Sequence, residues 1–248
     1  MYSIGAKKAD ILTTDSAFSK KSIQKYLGIC EDRIHLVPVA VNDRYFESYD
    51  KTAVTNIFVS KYGFDKFILY VSRIEPRKNH ALLLQVYLDL QLYLRGYYLV
   101  LLGHESIKTL AFDKIIKELP ENIRSFIFCK SDIPDEELIL FYRAASVFVY
   151  PSKAEGFGIP PLEAAAGKTP VLCSNTSAME DFDFFGENHF DPSDAELFKN
   201  RLSVVLATNP DSKSLEQLAQ KIHHKYSWKE SADTLYELIV NDHLNNTK

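Results

Sequence analysis

The chain has 248 residues, of which 46% are hydrophobic and 25% are charged, and its formal net charge at pH 7 is -4. These proportions are those of an ordinary globular protein, and they exclude a disordered chain and a protein built of transmembrane helices. The acidic balance, with no dense cluster of lysine and arginine, also argues against a nucleic-acid partner.

Apolar, β-rich segments alternate with helical patterns along the chain. The predicted strands cover residues 11–14, 34–39, 67–71, 98–102, 123–129, 147–150 and 170–173. The predicted helices cover residues 16–27, 79–94, 135–145 and 228–244, and a further helix starts near Pro160 or Pro161. This alternation predicts an α/β fold with a doubly wound parallel sheet.

These elements divide unequally along the chain. Residues 42–56 are polar and aromatic without clean periodicity, which predicts a linker. The part before it, residues 1–41, holds about two strands and one helix, too few for a nucleotide-binding sheet of about five or six strands. We expect residues 1–52 to form a small N-terminal part with its linker, residues 53–227 a complete domain, and residues 228–248 an amphipathic C-terminal helix.

The cysteines and two lysine pairs bear on where the chain acts. Cys30, Cys129 and Cys173 are widely spaced in apolar surroundings, which predicts buried free thiols in a reducing compartment. No apolar run is long enough to span a bilayer, and the N-terminus lacks the apolar core of a signal peptide. We expect a cytoplasmic protein, and the lysine pairs at 7–8 and 20–21 leave open a peripheral contact with an anionic membrane.

Two carboxylates flank a glycine-rich turn in the segment PSKAEGFGIPPLEAAAGKTP, residues 151–170. Gly156 and Gly158 allow backbone angles and a close ligand approach that side chains would block. Proline is tolerated at the start of a helix, so Glu155 is predicted before the turn and Glu163 in the first helical turn. The free amides and the dipole of such a helix suit a phosphate group. An acid in a first turn is also common for structural reasons alone, so the paired pattern is the informative feature.

Three cations follow the predicted strand 67–71 in the segment VSRIEPRKN. Arg73, Arg77 and Lys78 are predicted at the carboxyl end of that strand, where ligands bind in open parallel sheets. Such cations suit a diphosphate, although Glu75 is also a candidate partner for them within a simple charged loop. Together with the glycine turn, they favour a shared phosphate site.

These two motifs resemble those of the retaining glycosyltransferases of the family 4 type, which have a GT-B fold of two Rossmann-like domains. The E-x7-E pattern is formed by Glu155 and Glu163, and the R-x4-K pattern by Arg73 and Lys78. The resemblance covers nearly the whole chain, but it is to the C-terminal, donor-binding half of such enzymes. It implies a Rossmann-like domain, with residues 1–52 as a remnant of the N-terminal domain and its linker.

The resemblance also implies a mechanism. Arg73 and Lys78 would bind the diphosphate of a nucleotide-sugar donor, a GDP- or UDP-sugar, and stabilise the leaving group. Glu155 would contact hydroxyls of the donor sugar during transfer with retention of configuration. No metal and no further cofactor would be required. The amino-acid sequences of the motifs are similar to those of mannosyl-type enzymes of bacterial polysaccharide assembly.

Further positions are assigned to donor binding by the same resemblance. Glu163 would accept hydrogen bonds from the ribose hydroxyls of the nucleotide. The amides around Phe157, Gly158 and Ile159 would hold sugar and phosphate oxygens, and Gly103 would lie near the phosphates.

Several alternatives stay open at this point. The two glutamates suit a glycoside hydrolase, but that function would explain neither the pair of cations nor the turn at the helix start. Asp181 and Asp183 spell a D-x-D metal motif, but such triplets arise often by chance, and this one follows the helix after the glycine turn instead of ending an early strand. Because the acceptor site of the family lies in the N-terminal domain, the chain would need that domain or a subunit in trans. It would otherwise be a non-catalytic nucleotide-sugar binding module or a nucleotide-sugar epimerase or phosphorylase-like relative.

Overall fold

A computed structural model describes residues 2–208 and 210–246 of the chain. The helices of this part are α1 (Tyr2–Lys8), α2 (Ala17–Leu27), α3 (Lys51–Tyr62), α4 (His80–Asp89), α5 (Leu110–Glu118), α6 (Glu121–Arg124), α7 (Asp135–Ala144), α8 (Ile159–Ala166), α9 (Ala195–Ala207), α10 (Ser212–Lys225) and α11 (Trp228–Asn246). The strands are β1 (Leu12–Thr14), β2 (Ile34–Leu36), β3 (Phe67–Val71), β4 (Tyr98–Leu102), β5 (Ile127–Lys130), β6 (Val147–Tyr150), β7 (Val171–Ser174) and β8 (His189–Phe190).

Strands β3 to β8 form a parallel sheet of six strands in the order β5-β4-β3-β6-β7-β8. The strand order reverses where β3 pairs with β6, with Ile68 opposite Val147 and Leu69 opposite Phe148. Every residue of β6 and β7 is buried, so helices must cover both faces of the sheet. The prediction of a doubly wound, Rossmann-like α/β fold is confirmed, and the reversal between β3 and β6 is the switch point at which such sheets bind ligands.

Aromatic side chains fill much of the core on the α3 and α7 side of this sheet. The ring of Phe58 stacks on that of Phe67 with centroids 4.7 Å apart and meets Phe141 edge-on at 5.1 Å. Phe58 is fully buried, and such burial stabilises the fold by about 1.5–3 kcal/mol per side chain.

The same helix corrects the predicted linker at residues 42–56. Instead of a continuous irregular segment, α3 begins at Lys51, because the side chain of Asp50 accepts hydrogen bonds from the amides of Thr52 at 2.7 Å and Ala53 at 3.1 Å. The amphipathic pattern of α3 is weak, since its packing depends mainly on Phe58. The pattern of apolar residues in the sequence therefore did not reveal this helix.

Other boundaries also differ from the prediction. The predicted strand 123–129 begins only at Ile127, because α6 occupies the preceding residues. The predicted helix 79–94 stops at Asp89, since Gln91 takes a left-handed conformation with φ 48° before a short 3-10 helix, Leu92–Arg95. Strand β8 was not predicted, because two residues carry no period that a sequence pattern could reveal.

The N-terminal residues form a separate small unit. Strands β1 and β2 pair in parallel, from Leu12 opposite Ile34 to Thr14 opposite Leu36, with α2 as the connection. The unit is tied to the end of the chain, where the Ser231 hydroxyl donates to the Pro38 carbonyl at 2.5 Å. It leaves several large apolar side chains exposed, among them Ile4, Phe18, Tyr26 and Leu36.

The C-terminal helix is present as predicted, but its apolar face is not buried. Leu235 and Ile239 are 39% and 50% exposed, and Trp228 at the start of the helix is 59% exposed. Cys30 and Cys129 are exposed as well, so the prediction of buried thiols is correct only for Cys173. No helix within residues 2–208 and 210–246 is long and apolar enough to cross a membrane.

Candidate active site

The loops that follow β3 and β6 meet at the switch point of the sheet. Lys78 Nζ lies 2.6 Å from Glu155 Oε1, and Arg77 Nη1 lies 2.8 Å from Glu155 Oε2. The two loops are also joined through their backbones, because the Lys153 amide donates to the Arg77 carbonyl at 2.8 Å. The structure thus brings a carboxylate to a lysine and an arginine that precede it by more than seventy residues in the sequence.

Local sequence explains the position of Lys78. Pro76 starts a short 3-10 turn, Pro76–Lys78, and Asn79 ends it with φ 60°, a left-handed conformation that asparagine tolerates. The Tyr70 hydroxyl donates to the Lys78 carbonyl at 2.6 Å and fixes the turn to β3. Lys78 is therefore held with its side chain buried and directed at Glu155.

Glu155 lies in a dense set of hydrogen bonds. Its Oε1 accepts from the Ser152 hydroxyl at 2.6 Å and from the Tyr150 hydroxyl at 3.1 Å, besides Lys78. Burial by itself would raise the pKa of Glu155, but the hydrogen bonds from Lys78, Ser152 and Arg77 outweigh it and hold the pKa below its ordinary value. Burial lowers the pKa of Lys78 in spite of its pairing with Glu155.

Arg73 and Arg77 have different positions in the structure. Arg73 is exposed, and its side chain forms no ion pair with any described residue. Arg77 bridges Glu155 and the buried carboxylate of Glu75, with Nη2 2.6 Å from Glu75 Oε1. The sequence therefore identified the cations of this loop, including the pairing of Glu75, but not which arginine fixes Glu155.

The glycine turn leads directly into α8. Gly158 has φ 104°, and a Cβ atom there would lie 3.0 Å from the Met179 side chain, so both its conformation and its surroundings require glycine. Phe157 is buried against the rings of Phe182 and Tyr226. Among the described residues, no backbone carbonyl accepts a hydrogen bond from the amides of Gly156, Phe157 and Gly158. These amides, next to the positive end of the α8 dipole, are free to bind an anion.

Glu163 occupies a different place in α8 from the one predicted. The helix begins at Ile159, earlier than expected, so the first turn contains no acid and Glu163 lies in the second turn. The Tyr142 hydroxyl donates to Glu163 Oε2 at 2.8 Å, and Tyr45 faces the same carboxylate. Burial raises the pKa of Glu163, and these hydrogen bonds only partly oppose it. Glu163 therefore does not act on the helix dipole from the first turn of α8.

Gly103 has a structural requirement of its own. Its φ is 141°, and a Cβ atom would lie 2.1 Å from the backbone oxygen of Ser72. The loops after β3 and β4 approach each other too closely for any side chain here. Gly103 also donates to the Lys130 carbonyl at 2.9 Å, so it joins three neighbouring strand ends at the edge of the sheet that carries the site.

An open cleft of about 560 Å³ lies between this site and α2. Its walls include the hydroxyls of Ser19 and Ser22 on α2 and, opposite them, Arg77, Glu155 and Gly156. Tyr150, Ser152 and the serines of α2 were not identified from the sequence. Ser152 and Tyr150 had one usable signal, since they stand at the carboxyl end of a predicted strand directly before Glu155.

The structure gives no support to the metal motif at Asp181 and Asp183. Both residues lie in short 3-10 helices near the glycine turn and are exposed. In residues 2–208 and 210–246, no group of three or more His, Cys, Asp or Glu side chains is arranged to hold a metal ion.

A doubly wound sheet with cations, a carboxylate and free helix-start amides at its switch point defines a Rossmann-like ligand-binding domain. The chain belongs to the glycosyl transferases group 1 family, whose model matches residues 57–222. The prediction of the family is confirmed.

Curated relatives of the chain are considerably longer. The serotype-specific mannosyltransferase WbdA of Escherichia coli is 27% identical over 236 residues, which make up 93% of this chain and 29% of that protein. The O-antigen chain mannosyltransferase B of Escherichia coli is 33% identical over 174 residues, or 69% of this chain and 45% of that protein. The chain thus spans less than half the length of these relatives.

Solved structures show the same relationship in three dimensions. The glycosyltransferase from Rickettsia africae ESF-5 has a TM-score of 0.78 at 20% identity, over 94% of this chain and 63% of that chain. Anabaena Alr3699/HepE in complex with UDP has a TM-score of 0.76 at 13% identity, over 96% and 65% of the two chains. The fold is therefore that of GT-B glycosyltransferases, of which this chain has the C-terminal half.

Proposed function

We propose that the chain is the donor-binding part of a retaining glycosyltransferase that uses a nucleotide sugar. The observation that carries this proposal is the contact of Glu155 with both Lys78 and Arg77, beside the free amides of the glycine turn. A diphosphate at these amides would compete with Glu155 for the two cations. Donor binding would then release the carboxylate to accept hydrogen bonds from sugar hydroxyls.

The same residues would lower the barrier to transfer. As the bond between the sugar and the diphosphate breaks, negative charge develops on the leaving oxygen. Lys78 and the amide of Gly158, which are held in place before the reaction begins, would stabilise that charge, and the side chain of Arg73 would add to it. Glu163, held by Tyr142, would bind the ribose, which places the nucleotide along α8.

The relatives favour a particular donor class. WbdA and O-antigen chain mannosyltransferase B are named as mannosyltransferases, so we propose a mannosyl donor and a role in polysaccharide synthesis. The HepE structure was solved with UDP, which keeps a UDP-sugar as the second candidate beside a GDP-sugar.

We further propose that transfer needs an acceptor-binding α/β domain in addition to the described fold, in the same polypeptide or in trans. The matched residues make up only 29% and 45% of the two mannosyltransferases, and the N-terminal unit leaves the apolar side chains of Ile4, Phe18 and Leu36 exposed. The boundaries near residues 52 and 227 stay a proposal in this scheme, as does action in the cytoplasm with a peripheral membrane contact.

Calorimetric titration with GDP-mannose, UDP-glucose and ADP-glucose tests donor binding. We expect one of them to bind, and Arg73→Ala to weaken that binding about tenfold, as expected for loss of a charge-assisted hydrogen bond to phosphate. Glu163→Ala should weaken binding of both the nucleotide sugar and the free nucleoside diphosphate. Arg95→Ala is the matched control, because Arg95 is also exposed but precedes β4 at the opposite edge of the sheet.

Unchanged affinity in both Arg73→Ala and Glu163→Ala would contradict the site assignment. Binding without transfer, even after addition of the N-terminal domain of a relative, would favour the binding module. Production of an epimerised nucleotide sugar would favour the epimerase alternative.

A further inference from the structure

The glycine turn is held from the outside by the N-terminal unit. The Gly156 carbonyl accepts two hydrogen bonds from the start of α2, one from the Ser16 hydroxyl at 2.5 Å and one from the Ser19 hydroxyl at 3.1 Å. These contacts join residues about 140 positions apart. Ser16 is 4% exposed, so its bond to the turn is shielded from water.

The Ser16 hydroxyl takes part in two hydrogen bonds, one as acceptor and one as donor. As the N-cap of α2, its hydroxyl oxygen accepts a hydrogen bond from the Ser19 amide at 3.1 Å. The hydroxyl proton is then free to go to Gly156. Capping of α2 would be equally satisfied by Asp or Asn, so the helix end alone does not require a donor at this position.

A consequence for the turn follows from the planarity of the peptide bond. In a trans peptide, the N–H of Phe157 points away from the Gly156 carbonyl. Because Ser16 and Ser19 hold that carbonyl toward α2, the Phe157 amide is fixed on the opposite side, where no described backbone carbonyl pairs with it. Glycine at 156 would otherwise leave this peptide free to rotate.

We propose that Ser16 and Ser19 are positioning residues for donor binding, which aim the Phe157 amide at the nucleotide sugar. The inference rests on the proposed function. It makes the N-terminal unit part of the donor site through the orientation of the glycine turn. Docking of α2 on the turn and donor affinity would then be coupled, since a displaced α2 leaves the turn in a mixture of orientations.

Two substitutions separate positioning from capping. Ser16→Asp keeps a good cap but cannot donate to the Gly156 carbonyl, whereas Ser16→Thr keeps both functions. Ser19→Ala removes only the second hydrogen bond, so it provides an independent test if Ser16→Asp does not fold. Gln24→Ala is the matched control, because Gln24 is exposed on the same helix and does not line the cleft.

The measurements are calorimetric affinity for GDP-mannose and UDP-glucose, and hydrogen exchange of the peptide covering residues 154–161 in the unliganded protein. We expect Ser16→Asp and Ser19→Ala to weaken donor affinity about five- to tenfold and to speed exchange of that peptide. Ser16→Thr and Gln24→Ala should match the unsubstituted chain, and the urea midpoint of Ser19→Ala should be unchanged.

The outcomes separate this inference from the function on which it rests. If the unsubstituted chain binds a donor and both variants bind it equally well, the positioning role is wrong and the proposed function stands. Unchanged exchange of the turn in both variants overturns the inference whatever the donor result. If the unsubstituted chain binds no nucleotide sugar, the proposed function and the donor role of the serines are both contradicted.

Discussion

Replacing Lys78 and Glu155 singly and together should reveal strong energetic coupling between them. Both side chains are less than 10% exposed, and their charged atoms are 2.6 Å apart. At an effective dielectric constant of about 20, their gross attraction is about 6 kcal/mol. Desolvation of the two ions offsets most of it, so the pair adds little to stability compared with apolar residues of the same size.

Removal of one partner is a different perturbation, because it leaves the other charge buried. We expect Lys78→Met and Glu155→Gln each to lower the free energy of unfolding by about 3 kcal/mol, the low end of the range for buried pairs. Arg77, Ser152 and Tyr150 remain for Glu155 in the first variant, which limits the loss. For a domain of this size, such a loss corresponds to a decrease in Tm of about 6–12 °C.

The double variant should be less destabilised than the sum of the single ones, with a coupling of about 2 kcal/mol. Urea unfolding of the four proteins at pH 7 measures this coupling, provided that all four have the same m-value. The pKa of Glu155 lies below its ordinary value in the folded state. Its contribution is therefore complete above the ordinary pKa of a glutamate and is lost as the pH falls through the lower folded-state pKa. Additive losses at pH 7 would refute the view that these two charges act as one buried unit.

Three further predictions concern stability. Gly103→Ala should lower the free energy of unfolding by more than 3 kcal/mol or prevent folding, because the new Cβ atom would clash with the backbone. Gly28→Ala is the control, since Gly28 has φ 64° in open space and its replacement should cost about 1 kcal/mol. Equal urea midpoints of the two variants would contradict this prediction. Burial lowers the pKa of His80 to about 4, so the free energy of unfolding should fall by about 3 kcal/mol between pH 6.5 and pH 4, and His80→Phe should remove that slope. Phe58→Ala should cost about 3–5 kcal/mol, and a loss below 1 kcal/mol would show that α3 is not anchored by this ring.

The sequence predicted the central elements well, because their signals are local. Strands β3, β4 and β6 are short apolar runs bounded by polar residues, and each was predicted with its correct limits. Helix α3 was missed, since its place is set by Asp50 and by one aromatic ring in place of a repeating apolar face. The predicted start of α8, near Pro160 or Pro161, was slightly too late, because the helix already begins at Ile159.

The candidate site shows the same division. The residue types at 73, 77, 78, 155 and 163 were evident from two short motifs, and so was the position of both motifs after strands. Whether Arg73 or Arg77 meets Glu155 depends on the 3-10 turn at Pro76 and on the contact between two loops. A sequence contains no distance between such loops, so the roles of Tyr150 and Ser152 around Glu155 could not be predicted.

The sequence by itself determined the α/β class, the family and the chemical character of the site, because these depend on local residue pattern and motif spacing. Only the tertiary structure decided that the strand order reverses between β3 and β6, which brings the two motifs to one edge of the sheet. It also decided that α2 lies on the glycine turn and that two serine hydroxyls hold Gly156. Contacts between residues about 140 positions apart arise from the packing of whole elements, and no local propensity encodes them.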